Sequence, residues 1–179
     1  FSDLNKEDFN QIINKGFEVS IYKKCFTSII FNDLKLNENK IKEEYYINNH
    51  LINEQIRNKF IETFFIAKNE IDIISPWISE NVVDEQFVEL LENTLQRNVT
   101  IKILYGIGEN NDDRNKKSEK LASLLINKFQ KYGNLFKIKK TNIHYKLLLC
   151  DDKYLISGSY NFLSFKGDYQ NDDNRLEGA

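Results

Sequence analysis

The sequence predicts a layered α/β domain with a mixed β-sheet flanked by helices. Three observations carry that expectation. Short apolar runs alternate with amphipathic helical stretches in the order β-α-β-α-β-β-β, which calls for strands layered against crossover helices. The last two runs, within Ile143 to Asn161, are separated by Asp151-Asp152-Lys153 and read as a hairpin, so at least one strand pair is antiparallel. Finally, 179 residues with a 41% hydrophobic and 13% aromatic fraction suit one domain able to bury a real core. No Pro/Gly-rich linker, low-complexity tract or internal repeat divides the chain. Residues 1–49 read as an N-terminal helix, strand and variable loop, and residues 50–179 as the core.

Taken in order, Lys6 to Asn14 places Phe9, Ile12 and Ile13 at helical spacing after a possible cap at Asn5. Phe17 to Phe31 is rich in β-branched and aromatic residues and reads as two short strands or one bent strand. Asn32 to Asn49 is a polar connecting loop. Leu51 to Asn69 is the strongest helix, because Ile52, Ile56, Phe60, Phe64 and Ala67 fall on one stripe. The strand Ile71 to Trp77 follows, with Pro76 near its end. Phe87 to Leu95 is helical, and Asp84 and Glu85 favour its N-terminus. Val99 to Tyr105 is a buried strand. Residues 106–115 form a loop whose GxG lacks the third glycine and following helix of a dinucleotide site. Leu121 to Tyr132 is a helix with Gly133 as its C-cap, and Leu135 to Lys139 is the strand before the hairpin.

Composition bounds the function. No apolar run approaches the roughly 20 residues that span a bilayer, and no leader resembles a signal peptide, so a cytoplasmic protein without a membrane partner is expected. The chain starts at Phe1, contains no methionine and stops soon after the hairpin, which suggests a fragment of a parent protein with additional domains. Cys25 and Cys150 lack metal-ligand spacing and read as reduced, buried residues, although Cys150 would share the face of His144 and Lys146. Net charge is −2. Its distribution is uneven. From Arg114 to Lys146 the basic residues Arg114, Lys116, Lys117, Lys120, Lys128, Lys131, Lys137, Lys139, Lys140 and Lys146 face Glu119 alone. That tract is either a polyanion track or a solvated helix face.

The chemistry concentrates in IHYKLLLCDDKYLISGSYN, residues 143–161. Alternation along a strand puts His144 and Lys146 on one face, and likewise Ser159 and Asn161. A two-residue turn at Asp152-Lys153 would pair Asp151 with Tyr154, Lys146 with Ser159 and His144 with Asn161. Directly paired side chains lie about 5 Å apart, the dimension of a phosphate and its partners. Histidine serves as nucleophile or general acid near neutral pH, lysine supplies fixed positive charge, and serine and asparagine donate hydrogen bonds. Together they describe an oxyanion or phosphate pocket. A lone structural histidine would explain only one of the four.

The pattern HxKxxxxDxxxxxxGSxN, filled by His144, Lys146, Asp151, Gly158, Ser159 and Asn161, resembles the signature of the phospholipase D superfamily. The likeness continues through NFLSFKGDYQNDDNRLEGA, similar to bacterial members found as domains of larger proteins. The resemblance implies a phospholipase D-like fold and a phosphodiesterase without a cofactor or metal. It also implies that Glu177 orients the catalytic histidine with Arg175 as a charge partner. Asp151 and Gly158 are expected to support the site rather than react. Phe162 stands where many members have tryptophan and would form a pocket wall. Superfamily sites combine two such motifs, whereas His50 has no lysine two residues later, so the chain carries one. A homodimer bringing two copies of His144 together through the active-site face is therefore expected, the alternative being a second motif in the rest of the parent protein.

For substrate, the basic tract and the resemblance favour a DNA, or RNA, backbone, with Lys137, Lys139, Lys140, Trp77 and Phe162 as binding residues. Trp77 follows a strand where α/β folds bind ligands, although core packing also explains it. The expected activity is a metal-independent DNA endonuclease acting through a phosphohistidine. Two alternatives stand beside it: a phospholipid diesterase or transphosphatidylase, and a catalytically inactive nucleic-acid-binding module of a defence or repair protein.

Overall fold

The computed structural model describes residues 51, 54–107 and 113–166. In chain order these form α1 (Glu54–Ile66), β1 (Glu70–Ser75), α2 (Glu85–Gln96), β2 (Thr100–Tyr105), α3 (Asp113–Phe129), a 3-10 segment (Gln130–Leu135), β3 (Phe136–Lys140), β4 (Leu147–Cys150) and β5 (Tyr154–Ser157). The elements expected over residues 6–49, and Cys25, Arg175 and Glu177, lie outside the described residues.

The sheet order is β3-β2-β1-β4-β5. Strands β1, β2 and β3 are parallel, β4 runs antiparallel to β1, and β5 antiparallel to β4. The sheet is thus mixed, and the chain reverses its direction of travel across the sheet after β3. The side of the sheet that carries Ile71, Ile73, Ile101, Ile103, Phe136, Ile138, Leu148 and Ile156 shares the main core with α1, α2 and α3. That core forms because α1 places Ile56, Phe60 and Phe64 on one stripe, all at most 1% exposed. The Phe60, Phe64 and Phe87 rings pack with centroids 5.3 to 5.6 Å apart. The opposite sheet face carries Ile74, Leu104, Leu147, Leu149 and Leu155, joined by Ile143. Burial on both faces covers β1 from Ile71 to Ser75, including the charged Asp72 between Ile71 and Ile73.

Two helix boundaries differ from expectation for identifiable reasons. Helix α3 begins at Asp113, well before Leu121, because the buried positions of its first two turns are Asn115 and Ser118, which leave no apolar periodicity. Asn115 Nδ2 donates to Ile107 O at 3.0 Å. Gly133 lies beyond the helix end, inside the 3-10 segment at φ 56°. By contrast α2 is capped as its sequence suggests. Asp84 accepts from Phe87 N at 2.9 Å and pairs with Lys166 Nζ at 2.8 Å. Lys166, then the helix N–H, hold its carboxyl below the ordinary aspartate range.

The hairpin is real, but its register is shifted by one from the expected pairing. Cys150, not Asp151, pairs with Tyr154, and Leu147 pairs with Ser157. The turn therefore holds three residues, 151–153, with Asp151 at φ 48°. A left-handed aspartate lets the chain turn one residue earlier than a two-residue loop would.

Candidate active site

The site is built where the chain changes direction. After β3 it crosses back over the ends of β2 and β1 to reach β4, and residues 141–146 make that crossing. Thr141 N donates to Tyr105 O at 2.6 Å, Ile143 N to Gly106 O at 2.9 Å, and Gly106 N to Pro76 O at 2.9 Å. The crossing segment is thus tied to the carboxyl ends of two parallel strands, the place where open α/β sheets bind ligands. His144 and Lys146 sit on this segment, not within a strand as expected, because pairing starts at Leu147.

Gly106 makes the close crossing feasible. It has φ +103°, and a Cβ there would lie 2.6 Å from Thr141 O and 2.9 Å from Lys140 Cγ. Gly106→Ala is expected to destabilise the chain by about 2 kcal/mol, lowering its melting temperature by about 6 °C. Unchanged melting would show that the segment can move aside freely.

His144 is exposed, and Lys146 Nζ lies 2.9 Å from its Nε2 and 2.9 Å from its backbone oxygen. An ammonium only donates, so Nε2 is the unprotonated, lone-pair-bearing nitrogen in this arrangement. The Trp77 ring meets the imidazole edge-on at 6.3 Å between centroids, and the Arg114 guanidinium lies 5.4 Å from the Trp77 ring centre. Trp77 is therefore at the site. Tyr145, between the two motif residues, is 64% exposed.

Gly158, Ser159 and Asn161 follow β5 and emerge at the same end of the sheet. Ser159 is exposed, whereas Asn161 is 6% exposed and its Oδ1 has no hydrogen-bond partner among the described residues. The strand-face rule that was expected to align Ser159 with Asn161 fails here because neither residue is in a strand. Their loop is clamped to the β1–α2 connection: Leu163 N donates to Ser75 Oγ at 3.2 Å, Ser75 Oγ to Trp77 O at 3.1 Å, and Ser79 N to Leu163 O at 2.9 Å. Phe162 does not line a pocket. It is fully buried, 5.4 Å from the Phe60 ring and 5.5 Å from Tyr160, so it anchors the loop to the helix-side core.

Asp151 lies at the far end of the hairpin from His144. Its carboxylate accepts three backbone N–H groups, from Lys68 at 2.9 Å, Asn69 at 2.9 Å and Glu70 at 2.8 Å, which fixes the turn to the start of β1. Burial alone pushes this carboxyl up, but the N–H groups of Glu70, Lys68 and Asn69, with Lys153, bring it below the ordinary aspartate range. Asp151→Ala strands these donors and is expected to cost about 3 kcal/mol, or about 9 °C in melting temperature. Because the folded-state value is depressed, the charged carboxylate's contribution is full above about pH 4 and fades as pH falls through the folded value. The melting gap between wild type and Asp151→Asn should therefore narrow in acid. A constant gap down to about pH 2 would contradict this assignment.

The basic tract does not stay together in space. Lys128 and Lys131 turn to Glu92, at 3.9 and 2.6 Å, and Lys140 pairs with Glu119. Lys137 and Lys139 alternate with the core residues Phe136 and Ile138, so they point to the sheet face away from α3. Lys137, Lys139 and Lys140 thus do not line the groove beside Trp77, which Arg114, Lys117 and Lys120 line instead. Linear charge could not separate these groups, although the i, i+3, i+6 spacing was available as a signal. Cys150 is fully buried in the helix-side core, with Leu148, and does not share the site. Among the described residues no cluster of His, Cys, Asp or Glu could hold a metal ion, and no helix is long and apolar enough to cross a membrane.

A family model described as "Cardiolipin synthase, PLD-like domain" matches residues 60–176. Comparison with curated protein sequences finds no match. Similar solved structures include Nuc from Salmonella typhimurium, a phospholipase D family member, at 16% identity and TM-score 0.49, over 73% of this chain and 79% of that one. NucT from Helicobacter pylori is similar at 18% identity and TM-score 0.48, over 73% of this chain and 84% of that one. TrmBL2, an archaeal chromatin protein, is similar at 15% identity and TM-score 0.47, over 96% of this chain and 58% of that one.

Proposed function

The chain belongs to the phospholipase D-like domain family, and from that premise we propose that it is a DNA endonuclease that cleaves phosphodiesters through a phosphohistidine. The observation that carries this reading is the exposed His144–Lys146 pair, with an unprotonated imidazole nitrogen 2.9 Å from a fixed positive charge at the mouth of the sheet. A nucleophile and an oxyanion partner are what phosphoryl transfer asks of a protein.

In the proposed reaction a phosphate oxygen draws the Lys146 ammonium from Nε2, and the freed lone pair of His144 forms the N–P bond. The P–O bond to the leaving strand breaks as that oxygen takes a proton from the protonated His144 of a second copy. That second imidazole, now neutral, removes a proton from water. The resulting hydroxide attacks phosphorus and the N–P bond breaks, restoring both histidines. Lys146, Ser159 and Asn161 hold the nonbridging oxygens. Glu177, with Arg175 beside it, is assigned to orient the imidazole on the strength of the family pattern. In this proposal the second histidine comes from another copy, since His50 has no accompanying lysine, and the exposed Tyr145 offers apolar surface for that contact. The side chains supply nucleophile, acid and charge stabilisation, so activity in chelator is expected.

Incubating the purified chain with single- and double-stranded DNA in chelator, beside a fluorescent phospholipid, separates the readings. Cleavage of DNA alone is expected. Cleavage of the lipid alone would make it a phospholipid diesterase, and cleavage of neither would leave a nucleic-acid-binding module.

A further inference from the structure

We infer that the groove between the β1–α2 connection and the first half of α3 binds a single nucleic-acid strand beside the scissile phosphate. This extends the phosphodiesterase reading by giving that site a substrate track. The groove encloses about 500 Å³ and is lined by Trp77, Ser79, Asn81, Arg114, Lys117 and Lys120, among others. Glu80 also lines it, leaving the cations in excess.

Its charge is ordered. Arg114, Lys117 and Lys120 recur every three residues on α3, so successive cations advance about 4.5 Å along one helix face. All three are exposed, and Lys117 and Lys120 make no ion pair among the described residues. Lys128 of α3 and Lys131 of the following turn are instead held by Glu92. A row of three cations, two of them outside any ion pair among the described residues, is a match for a phosphate backbone rather than for one small anion.

The row starts at the site. Arg114 stands over the Trp77 ring, and the same ring abuts His144. Trp77 Nε1 is buried with no hydrogen-bond partner among the described residues. An aromatic wall beside a basic track is the arrangement that binds single strands, whose unpaired bases can stack. The parts are also fixed to one another. Ser118 Oγ accepts from Ile78 N at 2.9 Å and donates to Ile78 O at 3.1 Å, pinning α3 to the residue after Trp77. The cations and the ring therefore keep their spacing before any strand arrives.

The test uses the full chain carrying His144→Ala, so that binding is read without cleavage. A fluorescent single-stranded oligonucleotide is titrated against it at several salt concentrations. Adding Arg114→Gln, Lys117→Gln and Lys120→Gln should weaken binding at least about tenfold and lower the log–log salt slope by about 2, from about 0.7 per lost phosphate contact. Lys117→Gln or Lys120→Gln alone should each lower it by about 0.7. Lys128→Gln with Lys131→Gln should leave the slope as it was. Equal affinity and slope in the triple variant would overturn the inference, as would binding to anionic phospholipid vesicles with none to the oligonucleotide. If the oligonucleotide binds as expected while the chain with His144 intact cleaves nothing, the groove stands and the nuclease reading falls.

Discussion

His144→Ala is expected to abolish the proposed phosphodiester cleavage, a loss on the order of 10⁵-fold in kcat, while the chain keeps its fold. The size follows from the role: without the imidazole there is no atom to form the N–P bond, and the same substitution removes the general acid contributed by the second copy. The fold survives because His144 is exposed and sits on a crossing segment held by backbone hydrogen bonds from Thr141 and Ile143, which the substitution leaves alone. Its visible side-chain contacts are the Lys146 ammonium and the edge of Trp77. Melting within about 2 °C of wild type is expected, as for a surface substitution. Activity within tenfold of wild type would remove His144 from the mechanism.

Lys146→Met is the second large effect. The change keeps most of the unbranched side chain and removes the charge, so kcat should fall about 10² to 10³-fold, as when one preorganised oxyanion partner is lost. The loss should fall mainly on kcat, because the charge on phosphorus oxygens grows in the transition state. Lys146→Arg should recover little, since a planar guanidinium cannot reach both Nε2 and the backbone oxygen of His144 in the manner of a compact ammonium. A change confined to KM would instead make Lys146 a simple substrate-binding cation.

Much of the fold was legible because packing writes itself in periodicity. The stripe of Ile56, Phe60 and Phe64 and the runs of β1 and β2 read directly as a helix and buried strands. Where burial falls on polar residues the signal is silent, as at Asn115 and Ser118, and α3 was cut short in the sequence reading for that reason. The site was legible as a set of residue types but not as a geometry. A strand-face rule aligned His144 with Lys146 and Ser159 with Asn161, yet all four lie outside the strands, and the left-handed Asp151 shifted the register by one. Phe162 was expected to be a pocket wall because it stands where many members of the resembled family have tryptophan, but a large ring next to Phe60 and Tyr160 gains more from the core. The lysines of β3 looked equivalent to those of α3 because a linear tract does not say which face of which element each charge occupies.

That two copies of His144 make one active site is tested most directly by mixing. Wild-type chains are refolded together with increasing amounts of the His144→Ala chain, and cleavage is measured per wild-type chain. With a shared site a hybrid holds one imidazole and is inactive, so activity per wild-type chain should fall to about one half at equal amounts and about one tenth at ninefold excess. Activity per wild-type chain that stays constant across the series would contradict the account, because each chain would then be cleaving alone.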